Sequence, residues 1–322
     1  MSDPFDEIAD GVYCIETGLY RHGLAACYLV REGAHLAFVD TGTARTLPTL
    51  LGVIGALGLS PSDVDYVIPT HVHLDHAGGA GPLMQACPRA RLVIHPKGAA
   101  HMADPSKLTA GALQVYGEEA FARDFGQLLP VPDDRMIIAE DRLVIDLAGR
   151  LLTFIDTPGH ANHHGCLYDA KTRAFFTGDT FGISYREFDT AAGPLLFAPT
   201  TPVAFDPDAW ERSLDRLLSY EPEAMYLTHY GRVDHPAALA AGLRQSIRDL
   251  AGLALAEEGR ADAGRPARLT RGVTENLFAR ARAHGVELDE TELERLFGVD
   301  IKLNAQGLEV WLQRRERRAA QG

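Results

Sequence analysis

A short apolar run, Tyr66-Val67-Ile68-Pro69, leads directly into Thr70-His71-Val72-His73-Leu74-Asp75-His76-Ala77-Gly78-Gly79, where four strong metal-ligating side chains fall within six consecutive positions. Imidazoles and a carboxylate crowded behind an apolar strand are costly to bury unless they share a partner, and a divalent ion is the simplest one. An exposed loop that is merely histidine-rich is the alternative. The residue types placed elsewhere along the chain decide between the two.

The chain before this stretch reads as short strands, Val12–Glu16, Ala25–Val30 and Leu36–Val39, the last ending in Asp40-Thr41-Gly42. A helix follows, with Leu47, Leu50, Leu51, Ile54 and Leu57 on one face and Gly58 as its stop. The histidine cluster therefore lies on a strand-to-helix loop, where α/β architectures place chemistry. Beyond it, residues 106–129 have mixed helical character and read as a cover beside the site. Strands resume at Met136–Ile138, Leu143–Ile145 and Leu151–Asp156, the last ending in Thr157-Pro158-Gly159-His160. Two further strands, Cys166–Tyr168 and Ala174–Thr177, lead to Gly178-Asp179-Thr180. A long aperiodic connection, 181–204, has the character of a functional loop. Asp206 and Pro207 then start a helix carrying Trp210, Leu214, Leu217 and Leu218, and the strand Ala224–Leu227 ends in Thr228-His229-Tyr230.

Four strand ends thus carry metal-type residues: the 71–76 cluster, His160, Asp179 and His229. They sum to five imidazoles and two carboxylates without a thiolate, about what two divalent ions need when each keeps a position open for water. After residue 235 the strand signals stop. Apolar residues at Leu239, Leu243, Ile247 and Leu250 mark a helix, 261–267 reads as a Gly/Pro-broken link, and Asp289 with Glu292 forms a capping box. The expected organisation is a catalytic domain over 1–235 and a helical module over 236–322; only His235, at the boundary, and His284 of the 13 histidines lie from residue 235 onward.

Composition removes several classes. A formal charge of −13 disfavours a nucleic-acid partner, since such binding draws on clustered Lys and Arg. Cys14, Cys27, Cys87 and Cys166 are scattered, which fits reduced thiols and a cytoplasmic location. The start, Met1 to Glu7, has neither a basic nor an apolar export region, and no run is long and apolar enough for a membrane span.

Taken together, His71-x-His73-x-Asp75-His76, Thr157-Pro158-Gly159-His160, Thr177-Gly178-Asp179-Thr180, Thr228-His229 and Asp40-Thr41-Gly42 resemble the metallo-β-lactamase superfamily. Among its members the resemblance is closest to the glyoxalase II and lactonase-like hydrolases, and it covers roughly residues 10–235. It implies an α/β (α+β) fold, a four-layer αββα sandwich with a C-terminal helical extension. It also implies a dinuclear site: His71, His73 and His160 for one ion, Asp75, His76 and His229 for the other, and Asp179 bridging. The ions would most commonly be zinc, with iron or manganese as alternatives. The activity implied is hydrolysis of an ester, lactone or thioester of a small, partly apolar molecule. Its expected nucleophile is a hydroxide bridging the two ions, because bound metal lowers the pKa of water from 15.7 to about 7.

Asp75, Asp179 and Tyr230 are the expected catalytic residues, with Asp75 as proton shuttle and Tyr230 as a donor to the developing oxyanion. Asp40 reads as a residue that orders the loop behind the ligands. His22, His164, Tyr185, Arg186 and Phe188 are candidates for substrate contact, and His35 and His95 for structural roles. The partner expected is a small-molecule substrate, with neither nucleic acid nor membrane, and a homodimer is compatible with the sequence. The helical C-terminus departs from the substrate-reading module of glyoxalase II. Persulfide dioxygenase-like iron chemistry and phosphodiester cleavage by a nuclease of the same fold are the rival activities.

Overall fold

The structure is a computed structural model describing residues 5–201 and 204–321. The reading made of Met1–Pro4 as part of an N-terminus without an export signal lies outside the described residues. The chain divides into two compact units. One, the sheet unit, comprises residues 5–156, His163–Gly178 and Glu221–Asp234. The other, the helical unit, comprises Thr157–Asn162, Asp179–Tyr220 and 235–321.

The sheet unit contains two mixed sheets. The first has β1 (Phe5–Ala9), β2 (Val12–Glu16), β3 (Ala26–Glu32), β4 (His35–Val39), β5 (Val64–Ile68), β6 (Arg91–Ile94) and β7 (Met136–Ile138) in sequential order. Its first four strands form an antiparallel meander; β4 to β7 run parallel. Parallel neighbours need crossovers, and helices supply them. α1 (Leu47–Ala56) links β4 to β5, α2 (Leu74–Ala77) and α3 (Ala80–Ala86) link β5 to β6, and α4 (Pro96–Ala103), α5 (Ser106–Tyr116) and α6 (Glu118–Asp124) precede β7. The second sheet is ordered β13-β12-β11-β10-β9-β8, with β8 at Val144–Leu147, β9 at Arg150–Asp156, β10 at Gly165–Asp169, β11 at Ala174–Gly178, β12 at Ala224–Leu227 and β13 at Gly231–Asp234.

Alternation along the strands builds two cores. Val12, Tyr28, Val39 and Ile68 of the first sheet share a cluster with Phe154, Leu167, Phe176 and Tyr226 of the second, so the sheets pack face to face. The other face of the first sheet buries Leu29, Phe38, Val67 and Leu92 against Leu50, Val53 and Ile54 of α1 and Leu83 and Met84 of α3. These central strands are buried on both sides, which is why they read as continuous apolar runs.

In the helical unit, α7 (Pro207–Leu218) starts as expected, the Asp206 carboxylate accepting from Ala209 N at 3.0 Å. α8 (Pro236–Leu255), α9 (Arg265–Ala283) and α10 (Glu290–Ala319) complete it. The fold expected from the sequence, two mixed sheets with flanking helices followed by C-terminal helices, is the one observed.

Details differ where charge hides periodicity. β1, an edge strand of sequence FDEIA, and β13, GRVD, gave no strand signal because acidic or basic residues occupy their exposed positions. Most of the supposed link 261–267 borders or begins α9, whose buried Leu269, Val273, Leu277 and Ala281 are spaced one turn apart among arginines. The two apolar patches around 293–297 and 308–312 belong to one continuous helix, α10.

Candidate metal centre

In the sheet unit, β5 ends just before the histidine loop, and α2 begins within it. Asp40, at the end of β4, is fully buried and ties three segments together. Its Oδ1 accepts from Thr70 N at 2.8 Å and Thr70 Oγ1 at 2.9 Å, and its Oδ2 accepts from Thr228 Oγ1 at 2.7 Å and His76 Nδ1 at 2.8 Å. The role read for Asp40 from the sequence, ordering the loop, is therefore visible in its bonds. Gly79 permits the close approach this requires: a Cβ there would lie 2.7 Å from Thr41 O and 2.8 Å from Thr43 O.

The loop brings its side chains together with His229, which follows β12. The ligand atoms of Asp75, His76 and His229 all lie within 4.8 Å of one another. Asp75 Oδ2 is 3.2 Å from His229 Nε2 and 3.7 Å from His76 Nε2. Their far ring nitrogens are committed elsewhere: His76 Nδ1 to the Asp40 carboxylate and His229 Nδ1 to Leu24 O at 2.8 Å. A carboxylate and a carbonyl can only accept, so each Nδ1 donates, and each ring is thereby oriented with its Nε2 facing Asp75. Alongside, His71 Nε2 lies 2.8 Å from His73 Nδ1, and the His71 ring is centred 4.0 Å from that of His76.

The helical unit holds the other two residues expected as ligands. His160 Nδ1 donates to Pro199 O at 2.9 Å, leaving Nε2 3.3 Å from Asp179 Oδ2. α7 anchors both turns: Trp210 Nε1 donates to Thr180 O at 2.6 Å, Ser213 Oγ donates to Pro158 O at 2.6 Å, and the Trp210 ring meets His160 edge-on at 5.7 Å.

This donor set fits a divalent cation. Neutral imidazoles with proton-bearing Nδ1 atoms tied to acceptors, next to carboxylate oxygens, are how proteins present ligands to zinc and similar ions. Asp75, His76 and His229 would hold one.

The remaining candidates fall in several places. His164 is buried and stacks on His71, with ring centres 4.7 Å apart, while His163 Nδ1 accepts from Val72 N at 3.4 Å. His22 is exposed, 3.2 Å from Glu16 Oε2. Tyr230 hydrogen-bonds Glu16, and burial, then the neighbouring Cys14 and Glu16, push its pKa well above the ordinary tyrosine value. Its hydroxyl thus serves the β2–β3 loop, whose Gly18 N and Gly23 N also bond Glu16. Tyr185 and Phe188 are consumed by packing inside the helical unit. The Tyr185 hydroxyl meets both carboxylate oxygens of Asp300 at 3.2 Å, and Phe188 stacks on Phe297 at 4.3 Å. Arg186 is paired with Asp189 at 3.2 Å. His35 and His95 are paired with Asp65 and Asp156, in keeping with structural roles. All four cysteines are buried, and none is in a disulfide among the described residues.

Two residues absent from the sequence-derived candidates lie near Asp75. Burial, then the carboxylates of Asp124 and Asp75, push the Tyr20 phenol up to about 12. Burial, then Asp75 and Tyr20, push Tyr116 higher still. The Tyr116 ring packs at a tilt on that of Phe125, centres 4.8 Å apart, in a cluster that also packs Leu74 of the histidine loop, so α5 and α6 do cover this side of it. A tyrosine on each of two unrelated segments has no local signature in a sequence, although a loop aromatic such as Tyr20 was open to notice.

A two-sheet fold with histidine and aspartate grouped at strand ends defines a metal-dependent hydrolase class. The family model of the metallo-beta-lactamase superfamily matches residues 21–229, and the chain belongs to that superfamily. A metallo-beta-lactamase fold-containing protein of Sulfurisphaera tokodaii is 30% identical over 189 residues, 57% of this chain and 67% of that one. An acyl-coenzyme A thioesterase of Homo sapiens is 28% identical over 193 residues, 53% of this chain and 64% of that protein. The match thus spans just under two thirds of the thioesterase's length. Among solved structures, an archaeal superfamily protein from Sulfolobus tokodaii superposes with a TM-score of 0.64 at 22% identity, covering 94% of this chain and 99% of that one. A family member from Thermus thermophilus gives 0.60 at 20% identity, covering 96% and 95%. Among the described residues, no helix is long and apolar enough to cross a membrane.

Proposed function

We propose that this metallo-hydrolase uses a dinuclear centre to cleave a thioester of a small, partly apolar acyl group. His71, His73 and His160 are assigned to one ion, Asp75, His76 and His229 to the other, and Asp179 to both. The observation that carries the reading is that His76, His229 and His160 each present Nε2 to a carboxylate of their own unit, Asp75 or Asp179, with an acceptor on Nδ1. Two divalent ions, when bound, supply a water ionised near neutral pH and a Lewis acid for the scissile carbonyl. Among ester, lactone and thioester, the thioester is favoured by relatives named as thioesterases, the human acyl-coenzyme A enzyme and an atrochrysone carboxyl ACP thioesterase of Aspergillus fumigatus.

The protein's own groups then have defined tasks. Asp75 sits between its two histidines and passes a proton from the attacking water to the departing sulfur. The C–O bond forms first as water adds to the thioester carbonyl, and the C–S bond breaks as the resulting oxyanion collapses, giving a carboxylic acid and a thiol that takes the transferred proton. Tyr20 and Tyr116, whose phenols both feel the Asp75 carboxylate, are assigned to apolar contact with the substrate through their rings. The test is a panel of acyl-coenzyme A thioesters, lactones, aryl esters and phosphodiesters, assayed on wild type and Asp179→Ala. Thioester hydrolysis lost in the variant supports the reading. Turnover that survives the substitution on every class overturns it.

A further inference from the structure

The segment 198–200 in the helical unit has an unusual density of buried support. Ala198 N donates to Ser246 Oγ of α8 at 3.1 Å. Asn304 of α10 takes two of the next groups: its Nδ2 donates to Ala198 O at 3.2 Å, and its Oδ1 accepts from Thr200 N at 2.7 Å. The Thr200 hydroxyl returns to the Asn304 backbone carbonyl at 3.3 Å. Ser246 and Asn304 are both almost wholly buried. One turn on, Gly307 lets α10 press against the same segment, since a Cβ there would fall 1.5 Å from Thr200 O. The carbonyl between these clamps is Pro199 O, the acceptor for His160 Nδ1.

We infer that Asn304 is a positioning residue for the metal centre: by bracketing Pro199 it fixes the carbonyl that sets the tautomer and ring orientation of His160. This rests on the assignment of His160 as a ligand. An asparagine is suited to the task because one side chain offers both a donor and an acceptor, which matches the C=O of Ala198 and the N–H of Thr200 on either side of a proline that has no N–H. An aliphatic residue would leave both backbone groups buried and unmatched, and the segment would move to satisfy them. The C-terminal helices then contribute to the centre without supplying a ligand to it.

The test measures metal affinity, with no substrate present. The full chain, stripped with a chelator, is titrated with zinc against a chromophoric competitor. Asn304→Ala is expected to weaken zinc binding about tenfold, the lower end of what a lost partner behind a ligand costs. Ser246→Ala, which removes a single hydroxyl, is expected to weaken it severalfold and serves should Asn304→Ala not fold. The comparison variant is Arg265→Met, which breaks the Arg265 pairs with Glu309 and Glu316 elsewhere on α10 and so loosens the same unit without touching 198–200. If Asn304→Ala and Ser246→Ala weaken zinc no more than Arg265→Met at equal loss of melting temperature, the positioning role is overturned. If His160→Ala itself leaves zinc affinity unchanged, the ligand assignment falls and the inference with it.

Discussion

His76 and His229 of the sheet unit find their Nδ1 partners on strand ends and an adjoining loop, at Asp40 and Leu24. His160 of the helical unit finds its partner at Pro199, whose neighbours are held by an asparagine 104 residues further along the chain from Thr200. The first set of proposed ligands is supported by a sheet that must form for the fold to exist, and by a carboxylate that binds three segments at once. The second depends on helices packing behind an irregular segment. A ligand group built on strand ends should therefore fail only when its hub or the sheet fails, whereas the other should be adjustable from a distance.

The largest effect expected is on turnover. Replacing His76 or His229 with Ala removes a group that would stabilise transition-state charge through bound metal, and kcat/KM for a thioester should fall at least about 100-fold. Retention of more than a tenth of the activity would break the assignment of these residues. Asp40→Ala comes next. It leaves the Thr70 N–H, the Thr228 hydroxyl and the His76 N–H without their buried acceptor and should cost about 3 kcal/mol or more in denaturant unfolding. Asp206→Ala, the cap of α7 in the helical unit, should cost only about 1 kcal/mol in the same measurement. Equal losses would remove the distinction between a hub and an ordinary cap.

Tyr116 probes the proposed substrate contact beside Asp75. Tyr116→Ala should raise KM roughly tenfold by removing apolar contact, and Tyr116→Phe should leave KM near wild type; a large change in both would shift the role to the hydroxyl. The smallest effect concerns pH. Hydrogen bonding from Arg265, reinforced by Gln313 and opposed by burial, holds the Glu309 carboxyl below its usual value. A carboxyl whose pKa is lowered on folding adds stability above its unfolded value of about 4.5 and loses it as pH falls through the folded value. Glu309→Gln should therefore flatten the decline in melting temperature below about pH 4.5 and alter it little on the acid side once the carboxyl is protonated. An unchanged profile would show the pair to be inert.

The sequence was legible where one physical pattern acted alone. Apolar runs marked β5, β9, β11 and β12, and the metal-type residues after each stood out because nothing else explains them at strand ends. It was illegible where two demands fell on one residue. Asp300 and Asn304 interrupt the apolar period of α10 because they reach out to Tyr185 and to the 198–200 segment, so one helix read as two apolar patches. Tyr185 and Phe188 looked like cleft residues for the same reason: an aromatic in an aperiodic segment packs against partners, here Asp300 and Phe297, that only the folded chain brings near. Tyr20 and Tyr116 escaped notice because their relation to Asp75 is spatial.

The most direct test of the proposed dinuclear centre is elemental analysis of the purified full chain with His76→Ala and His160→Ala beside it. The account predicts two divalent ions per chain in wild type, with zinc the expected metal, and a loss of bound metal in both variants. One iron per chain, accompanied by thiol-dependent oxygen uptake, would contradict it.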